Sequence, residues 1–207
     1  MADSICGKIF KGQDSSCEVQ QKGHEQELVV MNYDDLDTLT ITRDCTAETS
    51  QYRVTFTLKP GATGVKFIGP AAGNMMKGQV AKTRADNGLT EYQHMAHILM
   101  AGINEDQKCI LDALDKGRAF VAMKIRNYKR NPPSGLNEAI EIYGIGQGMV
   151  TADYTYDLTE GGGLVDITLN SQEGAFENNL PYIYEAPEAG MEIVDFDALF
   201  ANPGSGS

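Results

Sequence analysis

No run of about 18 apolar residues occurs in the 207-residue chain, so we expect no membrane-spanning helix. The first residues, MADSICGKIFKGQDSS, place one lysine before a very short apolar patch, and no secretory signal is expected there. Basic residues are also scarce: 17 Lys and Arg against 29 Asp and Glu give a net charge of −12. This balance argues against wrapping nucleic acid from outside, because phosphate binding needs a basic surface.

The cysteines form no metal-binding pattern. The four of them stand at positions 6, 17, 45 and 109, without a C-x-x-C pair or a histidine cluster, and zinc sites need tight ligand spacing. Reduced, partly buried thiols in a cytoplasmic product are therefore expected. Cys109 stands inside an apolar helical stripe, which predicts an inert packed thiol.

One histidine-containing segment deserves a test as a metal site. Glu91 and His94 are three residues apart, with His97 one further turn on, so all three would share one face of a helix. Di-iron sites need two such motifs and further glutamates on four helices, and the only other histidine is His24. We therefore interpret these side chains as polar residues on the exposed face of a helix, and predict no metal.

Catalytic motifs are likewise missing. There is no Gly-Lys-Ser/Thr triplet of a Walker loop and no G-x-S-x-G elbow. Asp34 and Asp35 are adjacent in a turn and point apart, which is poor geometry for acid–base catalysis. The sequence predicts neither an enzyme nor a cofactor.

A glycine run, Gly144, Gly146 and Gly148, raises the possibility of a phosphate-binding loop. Such a loop needs a helix after it, because the helix N-terminus supplies further N–H groups. The residues that follow, MVTADYTYDLT, instead alternate with a period of two, which is typical of a strand. We predict a bend between two strands, with positive φ or a close backbone approach at one glycine or more.

Most of the elements that the sequence predicts are β-strands. Alternation and turn residues predict eight of them, over residues 28–33, 36–42, 51–58, 119–128, 138–144, 149–157, 164–170 and 180–185. Short connections predict that the four strands between residues 119 and 170 form a meander.

Two helices are predicted between the early and late strands. The first, over 91–101, opens after Thr90 and has Gln93 three residues later, which is the capping-box arrangement. Met95 and Leu99 lie on its apolar stripe. The second, over 105–116, has Asn104 as N-cap, Gln107 three residues later, Ile110 and Leu114 in its stripe, and Gly117 just past its end.

Together these elements predict a β-rich α+β fold: an antiparallel β-sandwich or barrel with a lateral pair of short helices. We expect a single domain over 1–207, with an N-terminal arm at 1–27. A long glycine-rich loop is expected at 59–89, and an acidic, flexible C-terminal arm at 186–207.

Charge is unevenly placed along the chain. Residues 59–85 carry five bases and no acid, and so do residues 118–130. Every charged residue after Glu160 is an acid. Two interpretations stay open. The segregated charges either form an ordinary solvated surface, or they meet, within one subunit or between copies.

Two stretches carry a family likeness: the strand YRVTFTL with the loop 59–89 after it, and the block from AIEIYGIGQGMV to NNLPYIYE. In them the chain resembles the major tail tube proteins of long-tailed phages and the tube proteins of contractile injection systems. The resemblance implies a virion tail protein, present in the host cytoplasm during assembly. Its copies would close into hexameric rings that stack into a tube. Other tail or connector proteins are implied partners, and DNA is cargo that an acidic lumen repels.

We expect the basic loop of one subunit to meet the acidic C-terminal segment of another. Exposed ion pairs contribute only about 0–1 kcal/mol each, so apolar residues of the loop are included as anchors. The proposed contact residues are Lys59, Val65, Lys66, Phe67, Ile68, Met75, Lys77, Lys82, Arg84, Glu185, Glu188, Glu192, Asp195 and Asp197.

Other functions remain open at this point. The chain is alternatively another virion component, such as a capsid, decoration or head-tail connector protein. A second class is a small-molecule or glycan-binding β-sandwich, or a nucleotide enzyme that uses Gly144–Gly148.

Overall fold

The structure is a computed structural model of the chain, and it describes residues 24–46, 50–69, 75–84, 88–101, 104–125, 140–155, 164–187 and 196. Its strands, in chain order, are β1 (His24–Asn32), β2 (Leu36–Cys45), β3 (Ser50–Leu58), β4 (Val65–Ile68), β5 (Lys77–Arg84), β6 (Thr90–Ala101), β7 (Ala119–Ile125), β8 (Ile140–Tyr143), β9 (Val150–Thr155), β10 (Leu164–Asn170) and β11 (Tyr182–Tyr184). Helix α1 (Glu105–Lys116) lies between β6 and β7, and a 3-10 turn (Tyr33–Asp35) joins β1 to β2.

The strands form two sheets. The large sheet has the order β2-β3-β11-β8-β7-β1-β4 and the small sheet the order β5-β6-β10-β9. Neighbouring strands are antiparallel except β3 and β11, which are parallel. The predicted β-rich sandwich is confirmed, and in the part of the chain that the structure describes the large sheet does not close into a barrel.

Two apolar clusters lie on the two faces of the large sheet. Between the sheets, residues such as Leu28 and Val121 pack against Ile98 and Ile167 of the small sheet. On the other face, Phe56 and Phe120 meet edge to face, with ring centroids 5.2 Å apart. Strand β7 is buried along its whole length because alternate residues serve the two clusters.

The predicted helix at 91–101 is wrong: this segment is β6, the second strand of the small sheet. It pairs with β5 from Thr90 to His97 and with β10 from Met95 to Ala101, so its backbone groups are bonded within a sheet. Burial decided between the two periods. Ala96, Ile98 and Met100, two residues apart, all enter the core, whereas Met95 of the predicted helical stripe is only half-buried.

Helix α1 confirms the second helix prediction. The Asn104 side chain accepts the Gln107 N–H and the Gln107 side chain accepts the Asn104 N–H, which completes the capping box, and Gly117 is the C-cap. Leu111 is its buried residue, and Ile110 and Leu114 pack partly against the core. The prediction of a packed thiol at Cys109 is wrong, because this residue faces away from that stripe and is exposed. Of the two predicted helices, the second is therefore a helix and the first is strand β6.

The segment 59–89 is not one long loop, since it contributes β4 and β5. Val65 and Phe67 of β4 alternate toward the core, and this two-residue period is too short to stand out in the sequence. Gly78 of β5 lies against Tyr143, where a Cβ would come within 2.3 Å of the ring. That contact explains a glycine inside a strand.

The predicted arms and the meander also need correction. Residues 24–27 belong to β1, because their backbone pairs in the large sheet, while residues 1–23 lie outside the described part of the chain. In the C-terminal arm, Phe196 is fully buried against the second cluster. The meander is interrupted because β8 belongs to the large sheet and β9 to the small one.

Within the described ranges, no helix is both long and apolar enough to cross a membrane.

Ile98→Ala tests the placement of β6 in the core. Truncating this fully buried side chain should lower the free energy of unfolding by about 2–5 kcal/mol, because it leaves a cavity between the sheets. The measurement is urea denaturation followed by circular dichroism. Gln79→Ala, at an exposed position of β5, is the control and should change stability by less than about 0.5 kcal/mol. Equal, small effects for both variants would contradict this placement of Ile98.

Candidate functional site: the glycine loop, the buried polar cluster and the sheet edges

The glycine run is the point at which the chain passes from the large sheet to the small one. Gly144 has a φ of 73° and Gly148 a φ of 84°, and the Gly148 N–H donates to the Gly144 carbonyl at 2.9 Å. Residues other than glycine rarely adopt such φ values. The predicted bend between two strands is confirmed.

The N–H groups of this loop do hold an anion, but the anion is a side chain of the same protein. Glu177 Oε1 accepts the N–H of Gly146 at 3.2 Å and that of Gln147 at 2.8 Å. A Cβ on Gly146 would lie 2.2 Å from Glu177 Oε2, so only glycine permits this approach. The groups that would face a phosphate are therefore already bonded to a carboxylate.

Glu177 is held from its backbone as well as its side chain. Its N–H and carbonyl pair with Tyr92 of β6, at 2.9 and 2.8 Å, and the residue is 4 % exposed. Burial raises the pKa of Glu177, and the two loop N–H groups act in the opposite direction by favouring the charged form.

His94 reaches the same loop from the small sheet. Its Nδ1 accepts the Gly144 N–H at 3.1 Å, and its Nε2 lies 2.8 Å from the Asn179 carbonyl oxygen, to which it donates. This pattern requires the neutral ring with the proton on Nε2. Burial lowers the pKa of His94 to about 4. The prediction that His94 lies on an exposed helix face is wrong, because on β6 it points between the sheets.

A second polar group lies beside His94. The Tyr143 ring packs edge-on to His94 and to His24, with centroids 5.8 Å apart in each case. Glu141 Oε2 accepts the Tyr143 hydroxyl at 2.7 Å and lies 2.8 Å from His24 Nε2. The Gly78 N–H donates to His24 Nδ1 at 3.3 Å, which leaves the His24 proton on the nitrogen facing Glu141.

These contacts explain the protonation states of the cluster. Burial acts to raise the pKa of Glu141, but the hydrogen bonds from His24 and Tyr143 outweigh it and the pKa is lowered. Burial, and then the Glu141 charge, raise the pKa of Tyr143. Tyr143 is 3 % exposed, so its hydroxyl is hydrogen-bonded and shielded from solvent. The cluster is arranged to join the sheets, with strands β1, β5, β6 and β8 all contributing.

Metal binding finds no support within the described residues, where no group of three or more His, Cys, Asp and Glu side chains is placed to hold an ion. Glu91 and His97 are the second and eighth residues of β6 and His94 is the fifth, so the strand directs His94 to the face opposite Glu91 and His97. His97 instead contacts Gln79 at 3.2 Å.

The expected contact residues of the segment 59–85, both apolar and basic, are dispersed. Phe67 is buried and Val65 half-buried in their own subunit, whereas Ile68 and Met75 are 72 % and 46 % exposed. Lys66 forms an ion pair with Glu27 of the same chain. The other four bases are spread from the end of β3 to the end of β5: Lys59, Lys77, Lys82 and Arg84.

Among the expected acidic residues, Glu185 pairs with Arg53 of the same chain, and its N–H donates to the Val54 carbonyl at 2.9 Å. The remaining acids lie outside the described residues: Glu188, Glu192, Asp195 and Asp197. The expected contact between subunits stays a prediction.

Sequence reasoning missed most of the polar cluster. His24 falls in the predicted N-terminal arm, and Glu141, Tyr143 and Glu177 belong to no recognisable motif. A usable signal was present in β8, where Glu141 interrupts the apolar sequence IEIY. A charged residue there needs a partner across the sheet.

The edges of the large sheet are its other notable feature. Strand β2 ends the sheet on one side and is exposed at eight of its ten residues. Leu39 pairs with Phe56 and Ile41 with Val54, so they extend the second apolar face to this edge, where they are 38 % and 43 % exposed. Strand β4 ends the other side.

Ile68 at the β4 edge lies on the same face of the sheet as Leu39 and Ile41. It pairs with Glu27 of β1, which shares a face with Val29 of the second cluster. Exposed apolar side chains are thus found on one face at both opposite edges of the sheet.

Comparison with protein-family models, with curated proteins and with solved structures finds no match to this chain.

Gly146→Val tests the carboxylate contact. The new side chain would displace Glu177 and leave two loop N–H groups without their acceptor, so stability should fall by at least about 1–3 kcal/mol. Gln147→Ala keeps the backbone N–H and should be close to neutral. Thermal unfolding of both variants is the measurement. ATP, GTP and NAD should not bind the wild type, and micromolar nucleotide affinity lost in Gly146→Val would contradict the assignment.

His94→Gln tests the pH dependence. The pKa of His94 is about 4 in the fold against 6.5 for an ordinary histidine, so the unfolded chain binds the proton more tightly. This contribution to stability is fully present above pH 6.5 and is lost as the pH falls to about 4, by roughly 3 kcal/mol.

The measurement is the free energy of unfolding at several pH values for the wild type and His94→Gln. Glu177, whose pKa is raised, contributes with the opposite sign, but its contribution is common to both proteins. The wild type should therefore lose more stability on acidification than the variant. Parallel curves would show that His94 is not the group responsible.

Proposed function

We propose that the chain is a structural virion protein that assembles into rings, which stack into a phage tail tube. The observation that carries this proposal is the open large sheet, with exposed apolar residues on one face at both of its edges. An exposed edge strand pairs readily with another chain, and natural proteins protect or use such edges.

The two edges are complementary in a specific way. If β2 of one copy pairs in-plane with β4 of the next, Leu39 and Ile41 meet Ile68 on the same face of the joined sheets. A contact between two different edges is heterologous, and it closes into a ring when the rotation between subunits permits. This arrangement supports rings over simple two-fold dimers.

Charge supports the tube function. A net charge of −12 makes the assembled wall repel the DNA backbone, so that DNA passes through the lumen without adhering. Met75, which is exposed, and the acids after Glu185 remain candidates for contacts between stacked rings. The resemblance of the sequence to tail tube proteins supplies the virion location.

The observed fold decides which residue of the segment 59–85 can test the assembly. Phe67 is 7 % exposed, so a charge there would disturb the core of the subunit itself. A deletion of residues 61–84 would remove strands β4 and β5 and so disrupt both sheets. Ile68, directly beside Phe67 and 72 % exposed, is the residue that separates assembly from folding.

Ile41→Glu and Ile68→Glu should each abolish rings while leaving a folded subunit, because each places a charge at one edge. The measurements are light scattering after size exclusion, and negative-stain microscopy. Thr40→Glu, on the opposite face of β2 and also exposed, is the matched control and should still assemble.

Mixing the two variants tests the heterologous contact. Ile41→Glu keeps an intact β4 edge and Ile68→Glu an intact β2 edge, so an equimolar mixture should form a dimer that neither forms alone. If Ile68→Glu alone forms a dimer and the mixture adds nothing, the contact is two-fold and rings of this kind are excluded. Normal rings from both variants would reject the edge contact altogether.

A further inference from the structure

The ring of Phe196, in the C-terminal segment, occupies a site on the second apolar face of the large sheet. Phe196 is fully buried and belongs to the second cluster. Two lysines lie over its ring: Lys124 Nζ is 4.3 Å and Lys66 Nζ 5.9 Å from the ring centroid. An ammonium group this close to an aromatic face is attracted to it, so the lysines help to hold the ring.

The strand register places this site beside the β4 edge. Lys66 of β4 and Ala122 of β7 both pair with Val29 of β1, so the three side chains share one face. Lys124 is two residues after Ala122 and points to the same face. The Phe196 ring therefore lies over β1, between β7 and the edge strand β4.

The site matches a phenylalanine with acidic neighbours. Glu27 forms ion pairs with both lysines, and its Oε2 is 3.3 Å from Lys124 Nζ, which fixes their positions around the ring. In the sequence, Asp195 and Asp197 stand directly on either side of Phe196. The site thus combines an apolar floor for the ring with two cations for an acidic segment.

The C-terminal segment is long enough to reach this site in its own subunit or in a neighbour. Ala186 packs with the second cluster, so the segment starts on the same face, and the ten residues from there to Phe196 span at most about 33 Å. Within one subunit, β11 and β1 are three strand spacings apart, about 14 Å. When β2 pairs with β4 of the next copy, β11 is four spacings from that copy's β1, about 19 Å.

We propose that in the assembled ring each subunit docks its Phe196 into this site on the next subunit, so that a second copy of the chain is the occupant. The inference rests on the edge contact of the proposed function and adds a second contact to it. Exchange of an identical segment keeps the contacts of the site and transfers them to the interface between copies, which makes it a low-cost route to association.

The experiment replaces Phe196 in the full-length protein with photoreactive benzoylphenylalanine. This protein is mixed before assembly with an equal amount of wild type that carries a heavy isotope label. After irradiation, trypsin releases residues 119–124 of β7 as one peptide, because this segment follows Arg118 and ends at Lys124. In the rings, about half of the cross-links from position 196 to this peptide should join it to labelled copies, because labelled and unlabelled neighbours are equally frequent.

The matched control is the same mixture with Ile41→Glu in both proteins. Ile41 lies at the β2 edge, away from the Phe196 site, and without rings every cross-link should stay within one copy. Rings in which all cross-links stay within one copy would overturn the exchange and leave the proposed function intact. Absence of rings from the wild type would overturn both.

A second measurement tests the site without the photoreactive side chain. Full-length Phe196→Ala should bind a peptide of residues 190–201, GMEIVDFDALFA, at least about tenfold more tightly than the wild type, in which the site is already filled. The same peptide with Phe196→Ala, which retains Phe200, is the control and should not bind. Failure of the first peptide to bind, or equal binding of both, would overturn the docking site. Asp195→Asn with Asp197→Asn in the peptide should weaken binding several-fold, and unchanged affinity would overturn the role of the lysines.

Discussion

The hydrogen bonds that His94 and Glu177 accept from the glycine loop fix the crossing between the two sheets. Gly144 donates to His94, and Gly146 and Gln147 donate to Glu177. A buried backbone N–H without a partner is costly, so the loop keeps this path only while both acceptors are present. Because Glu177 also pairs with Tyr92 in β6, the loop, the small sheet and the segment before β11 are joined at one point.

Close packing at this crossing depends on glycine for a second reason. The Tyr143 ring lies directly against β5, and Gly78 leaves space for it by having no Cβ. The hydroxyl then reaches Glu141, which also binds His24. The two sheets are thus joined by apolar contacts and by a polar group whose members satisfy one another, which specifies one relative position of the sheets.

The outer strands of the large sheet differ from its centre in burial. Its centre is buried on both faces, whereas β2 is exposed along most of its length. Leu39 and Ile41 extend the apolar face of the centre to the β2 edge, and Ile68 is exposed on the same face at the β4 edge, beside the Glu27–Lys66 ion pair. Exposed edge strands pair readily with another chain, and under the assembly that we propose neighbouring copies would complete this open sheet.

The sequence by itself determined the elements with strong local signals. The strand 51–58 alternates over its full length, the capping box of α1 needs only residues three apart, and the glycine run required a bend. Tertiary structure decided the rest. The segment 90–101 carries both a helical and an extended apolar pattern, and only pairing with β5 and β10 on its two edges made it a strand. The hydrogen-bond partners of His94 and Glu177 are distant in sequence, and His94 and Gly144 are 50 residues apart. No local pattern could therefore predict these contacts. Which face of a strand is buried, and which charge meets which donor, are set by the packing of the two sheets against each other.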